Sequence, residues 1–496
     1  MSRQTNLGEQ IQWLCDEVIR AGQGTPVEED AAWIRDRMAG PLRVAIAGRV
    51  KAGKSTLLNV LVGERLAPTD AGECTKVVSW YQQGPGYDVR ARLYDGSWRD
   101  LRFRRDDGEL EINLEDLGIE AIERIEVSWP SSNLARMTLI DTPGLASLRE
   151  ETSARTRAFF TSDEEARQSD ADAVLYLMRH LHRRDADFLE AFFDPSLNNA
   201  SPVNAIGVLS RADEIGAGRP DALESADRIA ARYRDDERVR ALAVSVLPVA
   251  GLLAETGTTL QEWEAAALRD LAAMPVEESE RMLLSVDRFT APESSDLLVE
   301  TRRHLLHRLG LFGVRVSLDA IRRGDIQSAV ELSRFLIDLS GVNRLRTLLE
   351  THFTTRAQAL KGRSALNALL ACTRELEKRG TNVDSLLAEI ERVEAASHEF
   401  AELRLLHLVL TGQVKLSDEE RAEVSRITTD ASPALRAGCD PDAGPDEVQS
   451  AVLNGIARWR QRGANPLLDR AGRDACEIIA RSYEGIYAEV MKSSKV

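Results

Sequence analysis

Apolar residues follow different rhythms along this chain, and the first change falls near residue 42. Residues 6–37 carry Ile11, Leu14, Val18, Trp33 and Ile34 as apolar markers of one amphipathic helix, broken between Gly22 and Pro26. From residue 42, short runs rich in Val, Ile and Leu, at 42–47, 137–140, 173–178 and 203–209, alternate with helical stretches. Such runs suit strands buried on both faces of a mainly parallel sheet with helices on both sides. Residues 77–81, 89–94, 98–103 and 122–127 predict a meander, with Asp95-Gly96 as a hairpin turn. From about Thr301 the pattern is almost continuously helical, punctuated at Gly341, Gly380, Gly412 and a loop over 437–445. The expected organisation is an N-terminal helix over 1–40, an α/β domain over 41–300 and an all-α bundle over 301–496, with the N-terminal helix packing on the bundle.

Composition agrees with this division. A chain of 496 residues exceeds one compact core, and an aromatic content of 5% favours Ala/Leu helix packing over β-sandwich packing. No apolar run approaches the ~18 residues of a spanning helix, and the first residues lack the apolar stretch of a secretory leader. Five dispersed cysteines without CxxC spacing indicate neither a disulfide framework nor a zinc site, so a reduced, cytoplasmic setting is expected. A net charge of −16 has the wrong sign for nucleic-acid binding. Basic residues are 56 arginines and only eight lysines, three of which, Lys51, Lys54 and Lys76, fall in one short segment.

That segment carries the chemistry. Gly48-Arg49-Val50-Lys51-Ala52-Gly53-Lys54-Ser55 fits GxxxxGK[ST], directly after the strand at 42–47 and before a helix over 56–62. In this loop backbone N–H groups curl around phosphates and the helix N-terminus adds its positive dipole end. Lys54 reaches the β- and γ-oxygens, and the Ser55 hydroxyl ligates Mg²⁺. Gly48, Lys51, Ala52, Gly53, Lys54, Ser55 and Thr56 are therefore the expected phosphate-side residues. Asp141-Thr142-Pro143-Gly144 follows the strand at 137–140. There Asp141 would hold Mg²⁺ through water and Gly144 would offer its N–H to the γ-phosphate; alone, the tetrapeptide also reads as a cap and turn.

Ser210-Arg211-Ala212-Asp213 ends the strand at 203–209, where a GTPase places [NT]KxD. Asp213 would accept from guanine N1–H and N2–H₂, rejecting adenine, and Arg211 would lie over the base in place of lysine. An aspartate capping the next turn is the competing reading. In Pro248-Val249-Ala250-Gly251, Ala250 could give its N–H to guanine O6; a plain strand–turn is the alternative. A threonine closing on Mg²⁺ and the γ-phosphate is also needed, and Thr75, twenty residues after Ser55, is the candidate, with Thr69 as the alternative.

With these residues the chain resembles the dynamin superfamily, and within it the actinobacterial isoniazid-inducible dynamin-like GTPases. The resemblance rests on the stretch GRVKAGKSTLLNVLVG, the Ser55-to-Thr75 spacing, DTPG and SRAD. It extends through HRLGLFGVR (307–315), SGVNRLRTLLETHF (340–353) and RWRQRGANPLLDRA (458–471). It implies a P-loop GTPase domain with a helical neck and trunk, GTP as substrate with Mg²⁺, and self-association through the GTPase domain. It further implies membrane work at the inner face of the plasma membrane, with anionic lipid and a paralogous dynamin-like protein as partners. Dynamins proper carry Gln-Ser where this chain has Val50-Lys51, and Leu145 stands where small GTPases place a water-orienting glutamine. Lys51 occupies the place where atlastin-like relatives hold an arginine finger, or it replaces a monovalent cation.

A soluble assembly GTPase would need an RNA-binding appendage, but residues 381–496 carry net −6. A GTP-gated scaffold remains the alternative to membrane action. Residues 301–380 count to +8 and could face anionic lipid, although packing against acidic parts of the fold explains them better. Residues 403–416, LRLLHLVLTGQVKL, are either a lipid-dipping tip or core.

Overall fold

The computed structural model describes residues 6–67, 77–106, 109–114, 117–143, 171–179, 202–429 and 432–493. Helix α1 (Leu7–Ala21) opens on a capping box: Asn6 Oδ1 accepts from Glu9 N–H at 2.9 Å while the Glu9 carboxylate accepts from Asn6 N–H at 3.2 Å. The break at Gly22 precedes α2 (Pro26–Ala39), with proline in its first position, where no N–H is needed.

The described strands are β1 (Leu42–Gly48), β2 (Val78–Gln83), β3 (Asp88–Leu93), β4 (Trp98–Asp100), β5 (Phe103–Asp106), β6 (Glu109–Ile112), β7 (Ile122–Trp129), β8 (Met137–Asp141), β9 (Ala173–Met178), β10 (Ala205–Ser210) and β11 (Val246–Val249). Nine of them form one sheet in the order β11-β10-β9-β1-β8-β2-β7-β3-β4. From β11 to β8 all neighbours run parallel, and β9 and β10 are buried at every residue, as continuous apolar runs require.

The stretch 77–127 departs from a meander. Strands β3 and β4 do form a hairpin through Gly96, at φ +82°. Strand β7, however, inserts between β2 and β3, parallel to β2 and antiparallel to β3. It buries Ile122, Ile125, Val127 and Trp129 in the core. The run at 98–103 also divides: β4 stays on the sheet edge, while β5 pairs with β6 in a separate hairpin.

Helix α3 (Lys54–Val62) follows β1, α4 (Ala222–Asp235) joins β10 to β11, and α5 (Gly251–Thr259) and α6 (Glu262–Ala272) follow β11. Helix α7 (Val299–Arg322) bends at Gly310, where φ is 63° and ψ 175°, and with α8 (Ala329–Leu339) packs on α5 and α6. Helix α9 (Val342–Leu349) begins after Gly341. Then come α10 (Ala357–Lys378), α11 (Asp384–Ala396), α12 (His398–Leu410), α13 (Asp418–Thr429), α14 (Pro445–Gly463) and α15 (Arg470–Ser493). Helices α1 and α2 pack on α10, and α14 with α15 forms a long hairpin. Gly341, Gly380 and Gly412 all take positive φ, so each punctuating glycine stands where a β-carbon is disfavoured.

The basic stretch 301–380 turns inward. Arg302 donates to the carbonyls of Phe289 (2.5 Å) and Ala291 (2.9 Å), Arg322 to that of Ala272 (3.0 Å), Arg346 to that of Val60 (2.9 Å) and Lys361 to those of Met38 (2.9 Å) and Gly40 (2.7 Å). These cations complete helix ends and turns within the fold. Leu403, Leu405, Leu406, Val414 and Leu416 are core residues, which removes 403–416 as a lipid-dipping tip. No described helix is long and apolar enough to cross a membrane.

One buried ion pair fastens α2 to the sheet. Asp172 accepts from Arg37 Nη2 at 2.6 Å and from the Arg43 N–H at 2.9 Å, with both charged side chains nearly inaccessible to water. Removing the carboxylate strands a buried guanidinium, so Asp172→Ala should lower stability by about 3–5 kcal/mol in urea unfolding. A loss below about 1 kcal/mol would show that water replaces the carboxylate there.

Candidate functional site

The site begins where β1 runs out. Gly48 lies so close to β9 that a β-carbon there would stand 2.5 Å from the Leu177 carbonyl oxygen. The chain therefore leaves the sheet through a residue without a side chain. Two left-handed residues shape the loop, Lys51 at φ 62° and Gly53 at φ 89°. The Ala52 N–H closes a turn onto the Arg49 carbonyl at 3.1 Å. Gly53 caps α3 without a side-chain acceptor, so the first-turn amides of Lys54, Ser55 and Thr56 are left to an external anion.

Strand β8, paired with β1, brings Asp141 to this loop. Ser55 Oγ donates to Asp141 Oδ2 at 3.2 Å, and Thr142 Oγ1 donates to the Ile46 carbonyl at 3.0 Å. Burial pushes the Lys54 ammonium below its usual pKa, with Asp141 acting against it. Burial likewise raises the Asp141 carboxyl, opposed by Lys54 and then by the Ser55 hydrogen bond. Burial thus disfavours the charged form of both groups, a cost that ligand charges of opposite sign beside each would offset. Asp141 Oδ1 is buried without a hydrogen-bond partner among the described residues. An orphaned carboxylate oxygen beside a serine hydroxyl is a hard oxygen donor set, and it fits Mg²⁺.

An open cleft extends from the loop along the carboxyl edge of the sheet. Ala52, Gly53, Thr56 and Leu57 form one side, Ser210, Arg211, Asp213 and Glu214 the other, with Leu177, Val208 and Val249 at the floor. Asp213 is 4% exposed. Burial chiefly pushes its carboxyl up to about 6, with smaller opposing influences from its own backbone N–H and Arg211. Ser210 Oγ donates to the Met178 carbonyl at 3.3 Å, tying β10 to β9.

The remaining expected residues divide. Arg211 lines the cleft in a left-handed conformation, φ 55°, but its Nη1 is tied back to Glu214 Oε1 at 2.6 Å. Ala250 must be corrected: its N–H donates to the Ser340 carbonyl at 2.9 Å and is not available to a base. The next residues, Gly251 and Leu252, line the cleft and open α5, where first-turn amides have no partner within the helix. Glu214 was missed by motif reading, although it adjoins Asp213; it also lies 3.5 Å from Arg179 Nη2. Thr75, Thr69 and Gly144 lie outside the described residues.

Residues 44–211 match the Dynamin family, the span that holds the loop, Asp141, Leu177 and Val208. The isoniazid-induced protein IniC of Mycobacterium tuberculosis is 38% identical over 458 residues, 91% of this chain and 91% of that protein. The chain belongs to the dynamin family, beside the bacterial IniC-type proteins. A bacterial dynamin-like protein of Nostoc punctiforme is 28% identical over 164 residues, 31% of this chain and 22% of its own length. A solved bacterial dynamin pair, described as oligomerised and as sensing and tethering membranes, aligns at 15% identity and a TM-score of 0.30, covering 83% of this chain and 81% of its own.

If Asp213 accepts two guanine N–H groups, its carboxylate has to be ionised to do so. Because burial raises its pKa to about 6, GTP affinity should then hold above pH 6. Below that it should weaken by about tenfold per pH unit as the acceptor is protonated. Titration of a fluorescent GTP analogue between pH 5 and 8 reads this, and Asp213→Asn should flatten the profile. An unchanged slope in Asp213→Asn would assign the pH dependence to another group.

Proposed function

We propose that this protein hydrolyses GTP with Mg²⁺ and couples turnover to self-association and to remodelling or stabilising the inner face of the plasma membrane. The observation that carries the nucleotide reading is a cleft with a buried carboxylate, Asp213, on one side and Ala52, Gly53 and Thr56 on the other, residues of the same segment that holds Lys54 and the Ser55–Asp141 hydrogen bond. In this reading Lys54 neutralises the β- and γ-phosphates, and Ser55 and Asp141 hold Mg²⁺, Asp141 through water. The ion supplies neutralisation of charge developing on the phosphate oxygens. Gly144 would donate to the γ-phosphate, and Thr75, or Thr69, would close over it.

Lys51 is the residue offered to the transferring group. It sits at the lip of the loop, exposed, in a left-handed conformation that non-glycine residues adopt at a cost, and it makes no hydrogen bond or ion pair with another described residue. Such strain is most often held at functional positions. Its ammonium can swing over the β–γ bridge in place of an arginine finger. Lacking the bidentate fork, it should supply less than an arginine. Lys51→Ala should lower kcat about 10²-fold with GTP affinity intact. Rescue by potassium would make Lys51 a substitute for a monovalent cation, and unchanged turnover would remove it from catalysis.

Membrane action is supported by family membership and by one surface feature. Leu467, 91% exposed, stands at the turn between α14 and α15, at the end of the helical hairpin. A second reading, a GTP-gated scaffold, is favoured by the inward use of the 301–380 cations and of 403–416. GTP turnover against protein concentration, with and without anionic liposomes, separates the two. Membrane action predicts liposome-stimulated turnover that Leu467→Asp abolishes; concentration-dependent turnover indifferent to liposomes supports the scaffold.

A further inference from the structure

The stretch 307–315 plays no part in the chemistry above, yet it lies directly behind the base side of the cleft. Gly310 bends α7, and beyond the bend Gly313 lies so close to α5 that a β-carbon would stand 2.6 Å from Leu253 Cδ2. Phe312 is buried in the same apolar cluster as Ala212, the residue before Asp213. Three residues further on, Arg315 Nη1 donates to the Gly218 carbonyl at 2.6 Å and Nη2 to the Leu283 carbonyl at 2.9 Å.

The loop it holds is an unusual one. After the turn that carries Asp213, Gly216, Ala217 and Gly218 take φ values of 64°, 62° and 68°. Three successive left-handed residues, one of them an alanine, do not form a self-supporting turn. Within the loop, the Ala217 N–H reaches the Glu214 carbonyl at 3.1 Å. From outside, the described side chain that bonds to residues 215–218 is Arg315. A β-carbon on Gly218 would lie 3.5 Å from the Asp213 carbonyl oxygen, so the held residue and the aspartate are in contact.

We propose that Arg315 is a positioning residue for guanine recognition: by holding the Gly218 carbonyl it fixes the loop that sets where the Asp213 carboxylate meets the base. It acts through Asp213 and does not touch the nucleotide. A planar guanidinium bonding two carbonyls at once, from the base loop and from the chain after α6, gives this hold a direction that a single-point cation lacks.

The proposal rests on the guanine reading, and its test separates the two. GTP and ITP differ only in the 2-amino group, which Asp213 would accept from. A hydrogen bond to a carboxylate should give the wild-type protein a preference for GTP of about tenfold or more. In the full-length protein with Mg²⁺, Arg315→Ala should bring that preference close to unity, with GTP affinity falling further than ITP affinity, since ITP keeps the N1–H that Asp213 accepts but lacks the 2-amino group. Arg315→Lys, with one carbonyl within reach, should restore part of it. Gly218→Ala, which strains the same loop without altering α7, should repeat the loss and serves if Arg315→Ala fails to fold. A preference that survives both Arg315→Ala and Gly218→Ala unchanged, or GTP and ITP affinities falling by the same factor, overturns the positioning role. A wild-type protein that does not prefer GTP to ITP overturns the guanine reading and this inference with it.

Discussion

The close approach of β1 to β9 fixes where every other part of the cleft must be. Gly48 pairs with Leu177, and the contact leaves no room for a side chain, so the phosphate loop can leave the sheet only upward from its carboxyl edge. Parallel pairing then sets the levels of its neighbours. Ile46 pairs with Asp141 on β8, Leu209 with Met178 on β9, and Ser210 with Val249 on β11. Asp141, the floor of the cleft and Asp213 thus arrive at one edge of the sheet, the usual place for a ligand in an open α/β fold. A slip of one residue in β8 would turn Asp141 to the opposite face and empty the site.

A second constraint concerns the arginines. A helical unit joined to an α/β domain leaves many carbonyls at helix ends and turns without intrahelical partners. This chain meets them with long cations. Arg302, Arg315, Arg322 and Arg346 each reach carbonyls in other elements, and Lys361 bridges two at the end of α2. The arrangement accounts for a strongly basic stretch in an acidic protein without recourse to a charged surface. The apolar part of each stem packs within the junction while the guanidinium satisfies oxygen.

The same distinction explains what was legible in the sequence. Gly48 to Ser55, Asp141 and Asp213 could be found because each motif ends a strand whose burial pattern is local. Helix boundaries at Gly341, Gly380 and Gly412 were legible for the same reason, since positive φ is a property of one residue. The insertion of β7 between β2 and β3 was not, because strand order depends on pairing partners distant in sequence. Nor was the fate of the Ala250 amide, taken by a carbonyl ninety residues away, or the tie of Arg211 to Glu214. In residues 403–416 the composition of a core helix and of a lipid-facing one is the same; only the surrounding fold tells them apart.

The two sides of the cleft are consequently held by different parts of the protein. The phosphate loop hangs from β1 and is braced by β8 and β9. The base side is bonded at two places to the helices beyond residue 299: Gly218 to Arg315 on α7, and Ala250 to Ser340 at the turn between α8 and α9. At that turn Gly341 comes so close that a β-carbon would stand 2.6 Å from the Pro248 carbonyl oxygen, which leaves little slack between helix and strand. The phosphate-loop side is tied more distantly, by Arg346 to the Val60 carbonyl at the far end of α3. A ligand that spanned the cleft and bonded to both sides would have a binding energy that depends on their separation. By reciprocity, a shift of α7 and α8 that changed that separation would change the ligand's affinity, and binding would bias those helices by the same free energy.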